Sequence, residues 1–421
     1  MVAVSGGPDS VALLDLLLRT RDVHQLELVV AHLDHGIHQA ASGVAEEVRA
    51  LAQAQGLPCE LERLELGPEA TETEARARRY AWLEAVRLRL HAQVIITAHH
   101  ADDQVETVLM RVLAGSGPAG LAGMAPVRGN VVRPLLQFRR AELAEYLAER
   151  GLPAWTDPAN ADSRHLRSWL RADVLPRLRA RVPDLDRNLL RLAEHAAVDR
   201  AAWDAVLDAL PGIDLQHEAD AISVAAPIVA GYHSPLAEAI VLALARRLGR
   251  PIGRARVQRV LQLLASGSSG ARVPLGSDLV AELSFGRLRL TELGPAVEIG
   301  PLALEGQRGE QTWGRWRFRW QPAPAPERQG RADLHAWFIP PSAPLSVRSW
   351  RPGERLRPLG GSGRRLLVRC FQDARVPSSL RASWPVLTLK DDVVWVPGVC
   401  RSDARIPLRG TEALRVDAEY A

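Results

Sequence analysis

The order of apolar and polar positions predicts alternating strands and helices in the first third of the chain. Short strand-like runs occur at 2–4, 26–31, 59–66 and 94–98. Segments with helical spacing of apolar residues lie between them at 10–19, 44–55 and 71–90, and another begins near Asp102. Such alternation predicts right-handed βαβ units and a doubly wound parallel sheet with helices on both faces. The N-terminal region is therefore assigned to the α/β class.

The rest of the chain has a different pattern. A long amphipathic helix is predicted over 184–210, a mainly helical middle region follows, and residues 321–333 are rich in Pro and Gly, which is typical of a linker. Trp313, Trp316 and Trp320 alternate with arginines and predict a strand with one buried aromatic face. The predicted regions are 1–183, 184–210, 211–294, 295–334 and 335–421, the last being a small mixed α/β domain.

Polar residues gather where three of the predicted strands end. The three clusters occupy 5–10, 32–36 and 99–107. In open parallel sheets, ligands bind outside the carboxyl ends of the strands, so the clusters are expected to form one site. Each cluster alone is also compatible with ordinary turn or capping chemistry, but the agreement of three favours a shared functional site.

The first cluster is a hexapeptide that leads straight into a helix and consists of Ser5, Gly6, Gly7, Pro8, Asp9 and Ser10. Adjacent glycines let the backbone approach an anion, and the helix N-terminus adds partial positive charge. A carboxylate beside a phosphate is repelled unless a cation lies between them, so Asp9 predicts Mg²⁺ bridging to a polyphosphate. The common P-loop requires Gly-Lys-Ser/Thr, which this loop lacks. For the glycines alone, a plain strand-to-helix turn is the competing interpretation.

The third cluster places acids on one face of a helix. Asp103, Glu106 and Thr107 stand at positions i, i+3 and i+4 and therefore share that face. Because they lie beside His99 and near a phosphate loop, Asp103 and Glu106 are interpreted as metal ligands or general bases. The phosphate loop ranks Mg²⁺ above zinc as the metal. Asp102 is assigned a capping role at the start of the helix.

Composition limits the class of protein. The chain has 421 residues, 47% of them hydrophobic, which is enough to bury a core. It has no apolar run of about 18 residues, which argues against a membrane partner, and no export signal, so a cytoplasmic protein is predicted. Its cysteines, Cys59, Cys370 and Cys400, are scattered, which argues against a disulfide framework or a Cys-x-x-Cys metal site. Met1 directly precedes the first strand, so the true start could lie upstream.

Arginine supplies nearly all of the positive charge, and Lys390 is the only lysine. Residues 345–381 contain nine arginines against two acids, Glu354 and Asp373. Such a density is typical of a surface that binds a phosphate backbone. Arginine also pairs with phosphates in a bidentate way and stacks on bases. A nucleic acid is the predicted partner of this region.

An ordered set of motifs runs through the chain. Its members are the loop 5–10, His32-x-x-His35-Gly36, Ala75-Arg76-x-x-Arg79-Tyr80, His99-His100-x-x-Asp103-x-x-Glu106-Thr107, Gly115-x-Gly117-x-x-Gly120-Leu121-x-x-Met124, Arg133-Pro134-Leu135-Leu136, Asp157-Pro158-x-Asn160-x-Asp162 with Arg167, Arg171 and Pro176, and Arg351-Pro352-Gly353-Glu354-Arg355 through Arg381 to Trp384-Pro385-Val386-Leu387. The set resembles the PP-loop ATP pyrophosphatases and, within them, the tRNA(Ile)-lysidine synthase family. The first loop indicates only the superfamily, whereas the ordered set is specific and covers most of the chain.

The resemblance implies a fold, a reaction and partners. The N-terminal domain would be adenine nucleotide alpha-hydrolase-like, and the substrate would be the isoleucine tRNA with a CAU anticodon. The 2-oxo group of its wobble cytidine would attack the α-phosphate of ATP and expel pyrophosphate. The amine of lysine would then attack C2 and expel AMP. Mg²⁺ would accompany ATP, and a homodimer is one expected assembly.

Roles are assigned to the matching residues on the same basis. Residues 1–183 would form the catalytic domain and 335–421 the tRNA-binding domain. The catalytic candidates are Asp9, Asp103 and Glu106, of which Asp9 and Asp103 would also hold Mg²⁺. ATP is assigned to the loop residues Ser5, Gly6, Gly7, Pro8, Asp9 and Ser10 with His32 and His99. Contacts to tRNA are assigned to Asp157, Asn160, Arg167, Arg171, Arg351, Arg355, Arg364 and Arg365.

The sequence departs from the family pattern at three places. Ala114 stands where the family usually has arginine, Ala159 replaces a usual serine, and Ser168 replaces a usual asparagine. These changes bear on contacts to tRNA or nucleotide rather than on the reaction class. Two alternatives stay open: cytidine 2-thiolation by the same superfamily, which needs paired cysteines for an iron–sulfur cluster, and a tRNA-binding homologue without catalysis.

Overall fold

The structure is a computed structural model that describes residues 1–34, 41–64, 72–152, 166–218, 220–276, 278–293, 299–340 and 344–420. It divides into two compact units, Met1–Ala202 and Trp203–Ala421, which are described separately. Within the described ranges, no helix is both long and apolar enough to cross a lipid bilayer.

The first unit alternates strands and helices, as the periodicity predicts. Its strands are β1 Val2–Ala3, β2 Val30–Asp34, β3 Cys59–Arg63, β4 Ile95–Ile96, β5 Val127–Arg128 and β6 Val131–Val132. Its helices are α1 Pro8–Thr20, α2 Ala41–Ala54, α3 Glu72–Arg89, α4 Ala101–Leu113, α5 Pro118–Leu121, α6 Arg140–Arg150, α7 Leu166–Trp169, α8 Leu175–Arg181 and α9 Leu185–Ala209, the last running across the division. A 3-10 helix covers Pro134–Gln137, and a π-helical turn, Leu170–Val174, joins α7 to α8.

One six-stranded sheet organises this unit, in the order β3-β2-β1-β4-β6-β5. All neighbouring pairs are parallel except β5 with β6, so the prediction of a doubly wound parallel sheet is confirmed. Val2 of the central strand pairs with Val30 and Ile96 and is fully buried, because helices cover both faces of such a sheet. The chain leaves β1, β2 and β4 at the same edge, which collects there the described residues of the three polar clusters.

Strand β2 differs from the prediction of a strand over 26–31. It begins at Val30 and ends at Asp34, because its parallel ladder with β3 pairs His32 with Leu61 and Asp34 with Arg63. The polar side chains His32 and Asp34 are both buried. His32 therefore lies within a strand of the sheet rather than in the loop that follows it.

The middle part of the second unit contains the predicted helices and also a sheet. The helices are α10 Ala226–Gly231, α11 Ser234–Arg247 and α12 Arg254–Ser266. The strands are β7 Gln216–Glu218, β8 Ala221–Ala225, β9 Arg272–Pro274, β10 Leu279–Ser284 and β11 Arg287–Glu292, in the antiparallel order β7-β8-β11-β10-β9. Buried charges interrupt the apolar pattern of its two longest strands, Glu282 in β10 and Arg289 in β11. That interruption explains why periodicity alone did not identify the sheet.

The C-terminal part of this unit is built from short strands. They are β12 Leu302–Leu304, β13 Gly309–Trp313, β14 Trp316–Pro324, β15 His335–Phe338, β16 Leu345–Ser349, β17 Arg355–Leu356, β18 Arg365–Leu366, β19 Pro385–Leu389, β20 Asp392–Val396, β21 Cys400–Arg401 and β22 Glu412–Tyr420, with helices α13 Leu367–Asp373 and α14 Ser378–Arg381. They form sheets ordered β12-β16-β19-β20-β21, β13-β14-β22-β15 and β17-β18. The mixed α/β composition agrees with the prediction.

The tryptophan-rich segment forms the core of the four-stranded sheet. Trp313, Trp316 and Trp320 are all buried, which confirms the predicted aromatic face. Residues 321–324, which the sequence places in a linker, instead complete β14, whose pairing with β22 reaches Pro324. Beyond Trp320, β14 has no pairing with β13, and a strand with one free side is where proline is tolerated.

Two arginines and two aspartates connect helices of the first unit through a network of ion pairs. Arg139 Nη2 lies 2.6 Å from Asp102 Oδ1 and also contacts Asp186, while Arg179 Nε lies 3.1 Å from Asp186 Oδ1. Asp102 also accepts a hydrogen bond from the backbone N–H of Arg140 at 2.8 Å. The predicted capping role of Asp102 is therefore wrong, because its carboxylate is directed to the start of α6 rather than to its own helix.

We predict that Asp186→Asn destabilises the protein at pH 7 but not in acid. Burial raises the pKa of Asp186, but hydrogen bonds from Arg179 and Arg139 outweigh it and lower the pKa below its ordinary value of 3.8. A carboxyl whose pKa is lower in the folded state stabilises above about pH 4 and loses that contribution as the pH falls through its folded pKa. Urea denaturation should show a deficit of about 1–2 kcal/mol at pH 7 that shrinks below pH 4.

Asp184→Asn is the matched control, because Asp184 pairs with Arg187 on the exposed surface two residues away. Its effect at pH 7 should stay below about 0.5 kcal/mol. An equal deficit for Asp186→Asn at pH 3 and pH 7 would contradict the electrostatic account.

Candidate functional site

The loop between β1 and α1 is shaped to receive an anion. Gly7 is the N-cap of α1 and Pro8 is its first residue, so the N–H groups of the first helical turn face outward from the sheet edge. Ser10 is buried, and its hydroxyl donates to the Gly7 carbonyl at 2.8 Å and accepts from the Ser5 N–H at 3.2 Å. Ser10 thus holds the loop closed, while the exposed hydroxyl of Ser5 remains accessible to a ligand.

Gly6 fixes how closely this loop packs on the next helix. Its φ is +83°, a conformation that side chains disfavour. A Cβ built at this position would lie 2.6 Å from Val44 Cγ1 on α2. Only glycine therefore permits the observed loop, for both a conformational and a steric reason.

His100 stands between two of the predicted catalytic acids. It caps α4: its backbone N–H donates to Asp103 Oδ2 at 3.1 Å, and the Asp103 N–H donates to its Nδ1 at 3.4 Å. Its Nε2 lies 3.5 Å from Asp9 Oδ2 and 3.5 Å from Asp103 Oδ2. From the sequence, His100 is expected only as one of two histidines beside the acids, although a polar residue immediately before an acidic first helical turn is a recognisable capping pattern.

His100 and Asp9 favour each other's charged forms. Burial lowers the pKa of His100, but the Asp9 hydrogen bond and the charges of Asp103, Asp9 and Asp102 outweigh it, so the pKa is raised. Burial raises the pKa of Asp9, but His100 and the guanidinium groups of Arg140 and Arg171 lower it overall. Asp9 is therefore a carboxylate at neutral pH.

Two arginines form ion pairs with the acids of α4. Arg167 Nε lies 2.7 Å from Glu106 Oε2 and its Nη2 lies 2.9 Å from Asp103 Oδ1. Arg171 Nε lies 2.6 Å from Glu106 Oε1, and its Nη2 lies 3.0 Å from Glu106 Oε2 and 3.4 Å from Asp103 Oδ1. The Glu106 side chain is only 3% exposed, so both of its oxygens are occupied by guanidinium groups in a buried position.

The family resemblance assigns Arg167 and Arg171 to contacts with tRNA. The structure instead directs both onto Asp103 and Glu106, and any contact to tRNA stays a prediction. The sequence does contain a pattern that indicates this pairing. Two acids spaced i and i+3 share one face of a helix, two arginines spaced i and i+4 share one face of another, and the two faces can form ion pairs with each other.

His99 lies on the positive side of the site. Its Nδ1 is 2.9 Å from the Thr97 hydroxyl. Burial, followed by the charges of Arg79, Arg133, Arg76 and Arg167, lowers the pKa of His99 to about 3, so the ring is neutral at physiological pH.

Arg76 and Arg79 flank an aromatic ring in the same region. The guanidinium carbon of each lies 5.4 Å from the centre of the Tyr80 ring. The Tyr80 hydroxyl is buried without a hydrogen-bond partner among the described residues. This part of the site therefore offers positive charge to an anionic ligand.

His32 presents an unused acceptor near the loop. Its Nδ1 donates to the Val4 carbonyl at 2.8 Å, which leaves a lone pair on Nε2. Burial lowers the pKa of His32, more than the Val4 carbonyl and Asp34 raise it, so the ring is neutral. Nε2 is buried and has no hydrogen-bond partner in the described part of the chain.

Two carboxylates are suited to hold Mg²⁺. The described residues contain no cluster of three or more His, Cys, Asp or Glu side chains arranged for a metal. Mg²⁺ commonly uses only one or two carboxylates together with substrate phosphates, so Asp9 and Asp103 beside the loop fit such a donor set. Zinc, which takes three or four protein ligands, does not fit them.

The C-terminal arginines of the prediction fall into two groups. Arg355 and Arg364, with Arg357, line a cavity of about 400 Å³. Arg351 is exposed, whereas Arg365 Nη1 pairs with Asp373 at 2.6 Å. Of the remaining predicted contacts, His35, Gly36, Asp157, Pro158, Asn160 and Asp162 lie outside the described residues.

Sheet order, anion loop and acidic helix define an α/β nucleotide-binding protein of the PP-loop class. Residues 1–178 match the family model described as a PP-loop domain, and residues 345–416 match the one described as the TilS substrate C-terminal domain.

The chain belongs to the tRNA(Ile)-lysidine synthase family. It is 32% identical to the tRNA(Ile)-lysidine synthase of Geobacter sulfurreducens over 99% of this chain and 92% of that protein. It is 34% identical to the synthase of Symbiobacterium thermophilum over 99% and 93% of the two chains, and 35% identical to that of Alkalilimnicola ehrlichii over 93% and 88%. The chain is therefore an ATP-using enzyme, and lysidine synthesis is supported over cytidine 2-thiolation.

We predict that Gly6→Ala lowers the affinity for ATP about tenfold or more. The left-handed conformation costs about 1–2 kcal/mol for a residue with a Cβ, and relief of the Val44 contact would displace the loop. Equilibrium binding of a non-hydrolysable ATP analogue measures the effect. Gly43→Ala is the matched control, because Gly43 precedes Val44 on α2 and a Cβ there meets nothing within 4 Å. Unchanged affinity for Gly6→Ala would disprove this role of the loop.

Proposed function

We propose that the chain joins lysine to C2 of the wobble cytidine of the CAU-anticodon isoleucine tRNA, with ATP and Mg²⁺ as the activating pair. The observation that carries the proposal is the convergence of an anion-binding loop with Asp9, Asp103 and Glu106 at one edge of the sheet. The family membership supports the tRNA substrate and the use of ATP. Lysine as second substrate and Mg²⁺ belong to the proposal.

In the first step the loop holds the part of ATP that leaves. The cytidine 2-oxo group forms a bond to the α-phosphorus, and the bond from that phosphorus to pyrophosphate breaks. Loop N–H groups and the start of α1 stabilise the pyrophosphate. Asp9 and Asp103 would hold Mg²⁺, which neutralises charge on the phosphates. His100 lies between the two carboxylates and helps to hold them in place.

In the second step an acid of α4 receives a proton. The amine nitrogen of lysine forms a bond to C2, the bond from C2 to oxygen breaks, and AMP leaves with that oxygen. Only the free amine is a nucleophile, so a base must accept its proton. Arginines pair with both acids, but the Asp103 side chain is 14% exposed and that of Glu106 only 3%, so we assign proton acceptance to Asp103 and orientation of the site to Glu106.

The two neutral histidines fit the nucleoside end of ATP. Nε2 of His32 has a free lone pair and can accept a hydrogen bond from an amino group such as that of adenine. His99 is neutral and bonded to Thr97, so it adds no charge beside the ring. Asp157 and Asn160 remain assigned to tRNA, and the cytoplasmic location, the bounds of the five regions and the homodimer stay predictions.

We predict that Asp103→Asn abolishes lysine transfer and leaves tRNA affinity within about twofold of wild type. Loss of a general base typically costs about 10²–10⁴ in rate, whereas Asp103 is not expected to touch the tRNA backbone. Incubation with ATP, radiolabelled lysine and CAU-anticodon isoleucine tRNA measures transfer, and filter binding measures affinity. Asp22→Asn is the control, because Asp22 is highly exposed.

Two outcomes would refute these assignments. Absence of label in the tRNA with the wild-type enzyme would reject lysidine synthesis itself. A large fall in tRNA affinity for Asp103→Asn would reject the role of Asp103 while leaving the reaction class intact.

We predict that the double change Arg355→Ala with Arg364→Ala reduces the salt dependence of tRNA binding. Each arginine that neutralises a phosphate adds about 0.7–0.9 to the slope of log affinity against log salt, so the slope should fall by about 1.5. Both residues line the same cavity, and the structure gives Arg355 no ion pair within the described ranges. Arg319→Ala is the control, since Arg319 Nε pairs with Glu310 at 2.8 Å. An unaltered slope for the double variant would exclude this surface.

A further inference from the structure

Trp169 is a large aromatic side chain left exposed beside the candidate active site. It is 42% exposed and is the last residue of α7. It lies two positions from both Arg167 and Arg171, which contact Asp103 and Glu106. Two positions correspond to about 200° of rotation around a helix, so Trp169 faces away from those acids at a distance of about one helix diameter, roughly 10 Å.

A cavity opens in front of this tryptophan. Its volume is about 270 Å³, and it is lined by Trp169, Asp173, Val174, Arg177 and Leu178. Trp169, Asp173 and Arg177 recur at intervals of four, so they form one face of the helical segment. Arg177 is highly exposed and pairs with Asp173 at 3.3 Å, which leaves most of its guanidinium group accessible to solvent. The cavity therefore combines an aromatic wall, an aliphatic floor and a cationic rim.

These features favour a nucleic acid base over other ligands. A flat aromatic wall with an arginine at its edge is the arrangement on which unpaired bases stack, whatever their sequence. Within the segment from 166 to 181, Arg167, Arg171 and Arg179 pair with acids of other helices, whereas Arg177 and Arg181 are exposed and can face a phosphate backbone. An acidic or purely apolar protein segment would match either the rim or the wall, but not both.

The chemistry of the proposed reaction creates a need for such a wall. An enzyme that acts on C2 of a base must take that base out of its stack, which leaves the neighbouring base without a stacking partner. An exposed aromatic ring on the opposite side of the segment that holds the carboxylates can replace that partner. The π-helical turn that begins at Leu170 widens the helix at this place, a feature frequent at functional sites.

We propose that Trp169 stacks on an unpaired anticodon-loop base that neighbours the wobble cytidine, with Arg177 facing the adjoining phosphate. The inference rests on the proposed function, because it names the part of the tRNA that this side of the site receives. Trp169 is thus a binding and positioning residue for the RNA, and it takes no part in either chemical step.

The test compares Trp169→Ala and Trp169→Phe with Trp203→Ala. Trp203 is the matched control, because it is 39% exposed on α9 and lines neither described cavity. RNA stem-loops with a CAU anticodon would carry 2-aminopurine at each loop position in turn. Stacking on Trp169 should quench one position in the wild-type complex, and Trp169→Ala should restore its fluorescence while Trp203→Ala does not.

Binding and turnover provide the second readout. Trp169→Ala should raise the KM for tRNA about tenfold, within the range expected for one lost stack, leave the KM for ATP unchanged, and keep the salt slope of binding. Trp169→Phe should retain most of the affinity. Arg177→Ala should lower the salt slope by about 1.

The outcomes separate the two proposals. A wild-type KM for tRNA in Trp169→Ala, or a quenched position that stays quenched, overturns the stacking inference even if lysine transfer is confirmed. An equal loss in Trp169→Phe and Trp169→Ala, together with a lower thermal midpoint in both, also overturns it. If wild type transfers no lysine but Trp169→Ala still releases the quench, the proposed reaction fails and the base-stacking site is supported.

Discussion

The contact of Arg167 and Arg171 with Asp103 and Glu106 is the interaction on which the candidate site depends. A carboxylate as deeply buried as that of Glu106 is tolerated only when opposite charge and hydrogen bonds compensate for lost water. Two guanidinium groups provide both and bind the helical segment from Leu166 to α4. Because α4 starts at the carboxyl end of β4, this clamp places the acids beside the loop that follows β1. The same clamp positions the opposite side of the segment, where Trp169 is exposed.

Two neighbouring histidines show how the site separates charge. His100 lies among Asp9, Asp102 and Asp103, and its pKa is raised, whereas the pKa of His99 is lowered to about 3 by burial and four arginines. The chain thus changes from an acidic to a basic environment within one residue. The acidic side suits a cation and an amine, and the basic side suits phosphates. The proposed reaction, which brings a metal, an ammonium group and two polyanions together, requires such a separation, because the charges would otherwise compete for the same groups.

Buried polar contacts also order the second unit, away from the candidate catalytic residues. Glu282, completely buried in β10, accepts hydrogen bonds from the N–H groups of Ser378 and Ser379 at 2.8 and 3.3 Å and from the Ser378 hydroxyl at 2.8 Å. This carboxylate fixes the start of α14 against the middle sheet. Cys370 and Cys400, which are distant in sequence, belong to one buried cluster there as free thiols. Specific polar contacts, and not apolar packing alone, therefore stabilise the core beneath the arginine-rich strands.

The sequence by itself determined the local features: the anion loop, the alternation of strands and helices, the buried tryptophan face and the acids sharing one side of α4. Each depends on residues within about one or two turns, so periodicity and motif spacing suffice to identify it. The tertiary structure alone decided which groups meet. Arg167 pairs with Glu106 across 61 positions, Asp102 is directed to α6 instead of capping its helix, and His32 lies inside a strand. Such pairings follow from the packing of helices on a sheet. The sheet of the middle region was not predicted, because Glu282 and Arg289 interrupt its apolar pattern and their hydrogen-bond partners are remote in sequence.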